Sequence, residues 1–252
     1  MRKVGILIGV LLLVAAGAGG FLYVRHRQTG SAPANNTTAQ QQHQTNFDKQ
    51  LYSLSDASSL WVVVNKQRPL NPKTYTPANL VVPNISLRLS AGNEEMHVRA
   101  DTAKALEQMA AAAKNEAGLS LMLASGYRSY NFQVNLYNGY VKQQGQSVAD
   151  TQSARPGYSE HQTGLAADLE PASRTCEVEN CFATTSEGKW LAANAYRFGF
   201  IIRYPEGQQD ITGYIYEPWH VRYVGTALAN EMHGENATTM EAFFGLGAAK
   251  TY

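Results

Sequence analysis

A histidine and an aspartate stand seven residues apart in G-Y-S-E-H-Q-T-G-L-A-A-D-L-E, residues 157–170, with small residues between them. If Gly164 to Leu169 form a strand, Leu165, Ala167 and Leu169 share one face, and Gly164, Ala166 and Asp168 the other. The leucine face belongs in a core. Asp168 then projects over neighbours that leave room for an ion or ligand, and His161 precedes it in a loop where Gly157 and Gly164 permit unusual backbone angles. A surface histidine and a turn aspartate that never meet are the alternative. A second pair lies in E-P-W-H, Glu217 to His220. Pro218 disfavours helix at Glu217, so this is not the helical H-E-x-x-H arrangement. In a regular strand these side chains point to opposite faces, and convergence needs a bulge or bend, which Pro218 favours. Otherwise both are ordinary strand-end residues. Together the segments offer His161, Asp168 and His220 as nitrogen and oxygen ligands, plus Glu217 as a spare carboxylate. Catalytic zinc takes three such ligands and leaves a position for water, whose proton an unligated carboxylate can accept. Arg128, in S-G-Y-R-S, adds a guanidinium suited to gripping a substrate carboxylate in two-pronged fashion. A surface salt bridge is its alternative use.

The elements that must position these groups read as follows. S-L-W-V-V-V-N-K, residues 59–66, is β-branched and apolar and predicts a buried strand. The prolines after it predict an extended arm. Asp101 or Thr102 caps an Ala-rich helix that Gly118 ends. L-S-L-M-L-A, residues 119–124, alternates as a strand and delivers Arg128 at its end, and Tyr130 to Gln144 is helical with Gly145 as its stop. Ser186 caps a helix running to Gly199, F-I-I-R-Y (200–204) is a strand, and P-E-G-Q-Q-D-I-T-G is a turn region. Y-I-Y-E-P-W-H-V-R-Y-V is the last strand, and a helix follows Gly225. Interspersed helices and short-linked late strands predict α+β, with a central, mainly antiparallel sheet flanked by helices.

The motifs, in this order, resemble those of the VanY-type D-alanyl-D-alanine carboxypeptidases. The S-x-H-x-x-G-x-A-x-D pattern is met at Ser159, His161, Gly164, Ala166 and Asp168, and E-x-W-H at Glu217, Trp219 and His220. S-G-Y-R-S with Gln133 downstream completes the set, and the likeness runs from about Leu60 to Gly225. The resemblance implies the compact α+β fold shared with hedgehog signalling domains, and a zinc peptidase acting on peptidoglycan stem peptides. His161, Asp168 and His220 would bind Zn2+, and Glu217 would be the catalytic base. Arg128 would hold the carboxylate of the terminal D-alanine, assisted by Ser159 and Gln133. Two rivals accompany it. One is an L,D-carboxypeptidase acting on tetrapeptide stems, the other a non-catalytic cell-wall protein that keeps zinc as structure.

Cys176 and Cys181, in R-T-C-E-V-E-N-C-F, are the chain's two cysteines. No second Cys/His pair stands nearby to complete a zinc site, so a local disulfide in an oxidising compartment is expected. Their segment reads as an insertion after the aspartate ligand, close enough to affect substrate choice.

The remaining features concern location. Val4 to Val24 is an uncharged run of 21 residues between Met1-Arg2-Lys3 and Arg25-His26-Arg27, and spans a bilayer core of roughly 30 Å. Residues 1–27 are expected to be an uncleaved signal anchor. A cleaved signal peptide, using the small residues 15–20, is the alternative. Residues 28–50, rich in Gln, Asn, Thr, Ala and Ser, read as a flexible tether. Residues 51–252 then form the catalytic domain outside the cytoplasm, on a single-pass membrane protein. Lys plus Arg (21) nearly equals Asp plus Glu (20), and no basic block speaks for a nucleic-acid partner.

Overall fold

The computed structural model describes residues 47–252. The expected anchor (1–27) and nearly all of the tether lie outside that range. Among the described residues no helix is long and apolar enough to cross a membrane. The packed body begins slightly before residue 51, since Phe47 stacks on Trp61 at 5.4 Å between centroids.

The chain gives short strands β1 (Leu80–Val81), β2 (Ser86–Leu87) and β3 (Val98–Arg99), then helix α1 (Ala100–Ala117). Strand β4 (Leu121–Ser125) leads to α2 (Tyr130–Gln144) and α3 (Gln146–Gln152). Strand β5 (Ala166–Pro171) is followed by α4 (Ser186–Asn194), β6 (Phe200–Tyr204) and α5 (Gln209–Thr212). Strand β7 (Glu217–Tyr223), α6 (Thr226–Gly234) and α7 (Met240–Phe243) close the chain. The main sheet has the order β2-β4-β5-β7-β6. Its β2–β4 pair is parallel and its other three pairs antiparallel, so the sheet is mixed, and the fold is α+β as expected.

Helix α1 packs through residues at helical spacing, Ala103, Leu106, Met109 and Ala113, all buried against Leu123, Leu169 and Val221 of the sheet. Gly118 ends it in the left-handed conformation (φ 71°). The expected start differs, because α1 begins at Ala100 with no side-chain cap. Asp101 lies inside the first turn, where its charge suits the helix dipole, and it pairs with Arg99. Helix α2 matches its expected limits, with Ser129 accepting from the Phe132 amide. Thr185, rather than Ser186, caps α4. The α-helix stops at Asn194, and a 3-10 turn (195–198) continues it to Gly199.

Residues 59–66 are not a strand. Trp61, Val62, Val63 and Val64 are fully buried, but they wedge between two cores: Trp61 and Val63 enter the cluster with α6 and α7, and Val62 and Val64 face Leu165. Their backbone bonds locally, as in Val62 N–H to Ser59 O and Val63 N–H to Leu54 O, and joins no ladder. Apolar contact on both sides explains the β-like sequence without a neighbouring strand.

Candidate active site

Sheet register places the first groups. Ser125 on β4 faces Asp168 on β5, and Asp168 faces His220 on β7. The three therefore form a row across the sheet. Leu165, Ala167 and Leu169 turn to the opposite side and are buried, as the alternation requires. His161 arrives from a 3-10 turn, Glu160–Thr163, which Gly164 (φ 69°) terminates by donating to the His161 carbonyl. The bend expected in E-P-W-H is present. Between the Ile202–Val221 and Tyr204–Glu217 pairs, β6 advances two residues and β7 four. That bulge brings Glu217 Oε2 within 3.4 Å of His220 Nδ1.

Candidate ligand atoms of His161, Asp168 and His220 all lie within 4.8 Å of one another, and the three residues are buried. His161 Nδ1 is 2.6 Å from the Gly126 carbonyl, so it donates there and leaves Nε2 facing Asp168 Oδ2 at 3.5 Å. Only glycine fits at 126, because a Cβ would strike the backbone oxygens of His97 and Glu95. His220 aims Nε2 at Glu160 Oε2 (3.6 Å) and Nδ1 at Asp168 Oδ1 (3.3 Å). Asp168 Oδ1 is buried without a hydrogen bond, a costly state for a carboxylate oxygen unless a cation meets it. Two imidazoles and one carboxylate are a donor set that suits zinc, so the residues present fit that ion.

Glu160, Arg203, Arg222 and Glu241 form a fully buried ion cluster behind His220. Arg203 Nε and Arg222 Nη1 each donate to Glu160 Oε1 at 2.8 Å. Arg203 also reaches both Glu241 oxygens, at 2.7 and 2.9 Å. Burial would raise the Glu160 carboxyl, but the Arg203 and Arg222 guanidiniums outweigh it and hold it below the usual range. Burial instead pushes Glu217 up, partly offset by His220. His161 is pushed down to about 4, by burial and then by Arg128, and so is neutral near pH 7. Burial opposes charge on His220, yet Asp168, Glu160 and Glu217 together push it well up. Three carboxylates around one imidazole are a setting that draws a cation.

Arg128 follows β4 and donates from Nη1 to Ser125 Oγ at 2.9 Å, with Asp168 Oδ2 at 3.7 Å. Its Nε donates to Gln133 Oε1 at 3.1 Å. The Gln133 amide nitrogen is spent on Ser153 Oγ and the Ala154 carbonyl. Gln133 is wholly buried and stands behind Arg128, outside the cleft lining. The cleft, of about 500 Å3, is lined by Arg128, Ser159, His161, Asp168, Glu217 and His220, among others. Every predicted catalytic, ligand and substrate-binding residue except Gln133 thus borders one cavity. Cys176 and Cys181 form the expected disulfide, Cα atoms 5.5 Å apart. Within their loop Val178 lines the cleft, and Glu177 pairs with Arg88, another lining residue.

Sequence reading missed the Glu160 cluster. Its signal was present in Arg203, a charge inside the apolar strand F-I-I-R-Y, and in Arg222, two residues after His220. Both had to meet a buried carboxylate, and Glu160 adjoins His161.

Comparison with known proteins agrees with this geometry. Residues 95–226 match the family model "VanY: D-alanyl-D-alanine carboxypeptidase". A D-alanyl-D-alanine carboxypeptidase of Enterococcus faecalis is 33% identical over 211 residues, which are 80% of this chain and 68% of that protein. The solved LdcB LD-carboxypeptidase is 41% identical with a TM-score of 0.71, over 78% of this chain and 88% of that one. A mutant of the vancomycin-resistance D,D-pentapeptidase VanY, solved with Zn(II), is 31% identical with a TM-score of 0.59, over 75% and 99% of the two chains. Motif order, fold and extent of match lead to one conclusion: this chain is a peptidase and belongs to the VanY family of D-alanyl-D-alanine carboxypeptidases.

Proposed function

We propose that this protein is a zinc-dependent carboxypeptidase that removes the C-terminal D-alanine from peptidoglycan stem peptides. The observation that carries the reading is the placement of Arg128 beside the His161, Asp168 and His220 cluster, with Glu217 in the same cleft. His161 through Nε2, Asp168 through its carboxylate and His220 through Nδ1 would hold the ion. When bound, zinc would supply Lewis acidity to a carbonyl and lower the pKa of its water toward neutrality. Arg128 binds the free carboxylate of the last residue and fixes the substrate as a C-terminal one. Ser159, which lines the same cleft, adds a hydroxyl. Glu217 accepts the proton of the attacking water and passes it to the leaving amine.

The stem length has two readings. Removal of D-alanine from D-Ala-D-Ala follows the family description, whereas an L,D-carboxypeptidase acting on tetrapeptides is favoured by the likeness to LdcB, 41% identical at a TM-score of 0.71. Incubating the zinc-loaded domain with tetrapeptide and pentapeptide stems, followed by mass spectrometry, decides between them. Release of D-alanine from neither, with zinc bound stoichiometrically, overturns the enzymatic reading in favour of a non-catalytic zinc protein. A membrane-tethered, extracytoplasmic placement accompanies the proposal, supported by the apolar run of residues 4–24 and by the disulfide.

A further inference from the structure

Tyr204 has no role in the mechanism above, yet it stands inside the same cleft. It is the cross-strand partner of Glu217, so the two side chains share one face of the sheet. Its ring meets His220 edge-on, centroids 4.8 Å apart, and lies 4.8 Å from the ring of Tyr214. The residue is only 6% exposed, and what it shows borders the cleft. Buried tyrosine hydroxyls ordinarily find a partner. The neighbouring Tyr214 hydroxyl does, at 3.1 Å from that of Tyr252. The Tyr204 hydroxyl makes no hydrogen bond among the described residues, and it is not among the buried polar atoms sealed from the cleft. A phenol held by two ring contacts, by the Arg203 guanidinium 5.2 Å from its ring centroid and by one strand, with its O–H uncommitted on the cleft side, is a preorganised donor.

Hydrolysis creates one acceptor that needs such a donor. As the water oxygen bonds to the scissile carbon, its proton goes to Glu217 and the carbonyl π pair moves onto the carbonyl oxygen. When the C–N bond breaks, that pair re-forms the carbonyl and the proton leaves Glu217 for the amine. Arg128 is engaged with the substrate carboxylate throughout, and Glu217 carries the proton. We propose that Tyr204 is a catalytic residue whose O–H donates a hydrogen bond to this developing oxyanion, without giving up its proton. A phenol is protonated at neutral pH and can donate. The bond strengthens as charge develops, so it lowers the barrier more than it aids binding.

The inference rests on the carboxypeptidase reading, and Tyr204→Phe tests it while keeping both ring contacts. The expected result is a fall in kcat of about 10²-fold. KM should stay within roughly twofold and zinc content should not change, because uniform binding is untouched. Calorimetry with a phosphinate dipeptide analogue, which presents the tetrahedral oxygens, should show affinity weakened by a comparable factor, while affinity for the D-alanine product is kept. An unchanged kcat, a change confined to KM, or unaltered phosphinate affinity overturns the role. Wild-type protein that releases no D-alanine overturns the carboxypeptidase reading itself, whereas an active wild type with an equally active Tyr204→Phe variant overturns only this inference.

Discussion

Asp168 and His220 are direct register partners on β5 and β7, so the sheet itself sets the spacing between two candidate zinc ligands. A slip of one residue would turn Asp168 into the core, where Ala167 and Leu169 now pack. Asp168→Asn keeps the shape and removes the charge. Zinc affinity, measured by competition with a chelating indicator, should fall by more than the roughly 10–100-fold that loss of an outer partner costs. Unchanged affinity would remove Asp168 from the ligand set.

Glu217 touches His220 Nδ1 at 3.4 Å but supplies no ligand atom to the three-residue cluster. Glu217→Ala should retain stoichiometric zinc and lose about 10²–10⁴-fold in kcat. Metal analysis and D-alanine release on the same sample check both halves, and near-normal turnover would assign the base elsewhere.

Gln133 accepts from Arg128 Nε and donates to the 153–154 segment, which makes it the support that aims Arg128. Gln133→Leu should raise KM about tenfold with little effect on kcat, since one lost hydrogen bond to a charged group is worth about 1.5 kcal/mol. Peptides with an amidated C-terminus, which give Arg128 no carboxylate to grip, should be poor substrates for both proteins. An equal loss on amidated and free peptides would contradict the aiming role.

Glu241 gives a pH prediction. Burial opposes its charge, but Arg203 and then Asn65 outweigh that cost and lower its pKa from 4.5. A carboxyl whose folded pKa is depressed stabilises the fold above its unfolded value and loses that contribution as pH falls through the folded one. Urea denaturation at pH 7 should therefore find Glu241→Gln less stable by about 3 kcal/mol, as breaking one side of a buried pair entails. The gap should narrow below about pH 4.5. A gap independent of pH would exclude the ionised carboxylate as its cause.

The Cys176–Cys181 loop puts Val178 on the cleft wall and holds Arg88 through Glu177. Replacing both cysteines by serine should cost about 2 kcal/mol of stability on loop-entropy grounds. Its larger effect should be on KM for full stem peptides, with little change for a dipeptide too short to reach the wall. Equal effects on long and short substrates would detach the loop from specificity.

Much of the site was legible because its residues are short-range in sequence. His161, Gly164 and Asp168 lie within one turn and one strand, and Pro218 foretold the bend that joins Glu217 to His220. What stayed hidden depends on contacts across long separations. The wedge at Trp61 to Val64 reads as a strand because two cores bury its alternate side chains, and sequence cannot show that no neighbour pairs with it. Gln133 stands near the motif but behind its arginine, a depth that helical spacing does not encode. The start of α1 escaped because its first turn carries Asp101 as a charge partner instead of a cap. Glu160 required pairing with arginines 43 and 62 residues away.

The buried ions have a consequence for where this enzyme can be cut. Two guanidiniums, Arg203 and Arg222, are neutralised by two carboxylates, and one of those, Glu241, lies past the segment that matches the family. Asn65, which also binds Glu241, lies before it. A fragment trimmed to residues 95–226 would keep every motif residue and yet leave an arginine uncompensated behind His220. The catalytic unit, in the sense of the shortest chain that can stand alone, is therefore longer at both ends than the stretch by which its relatives are recognised.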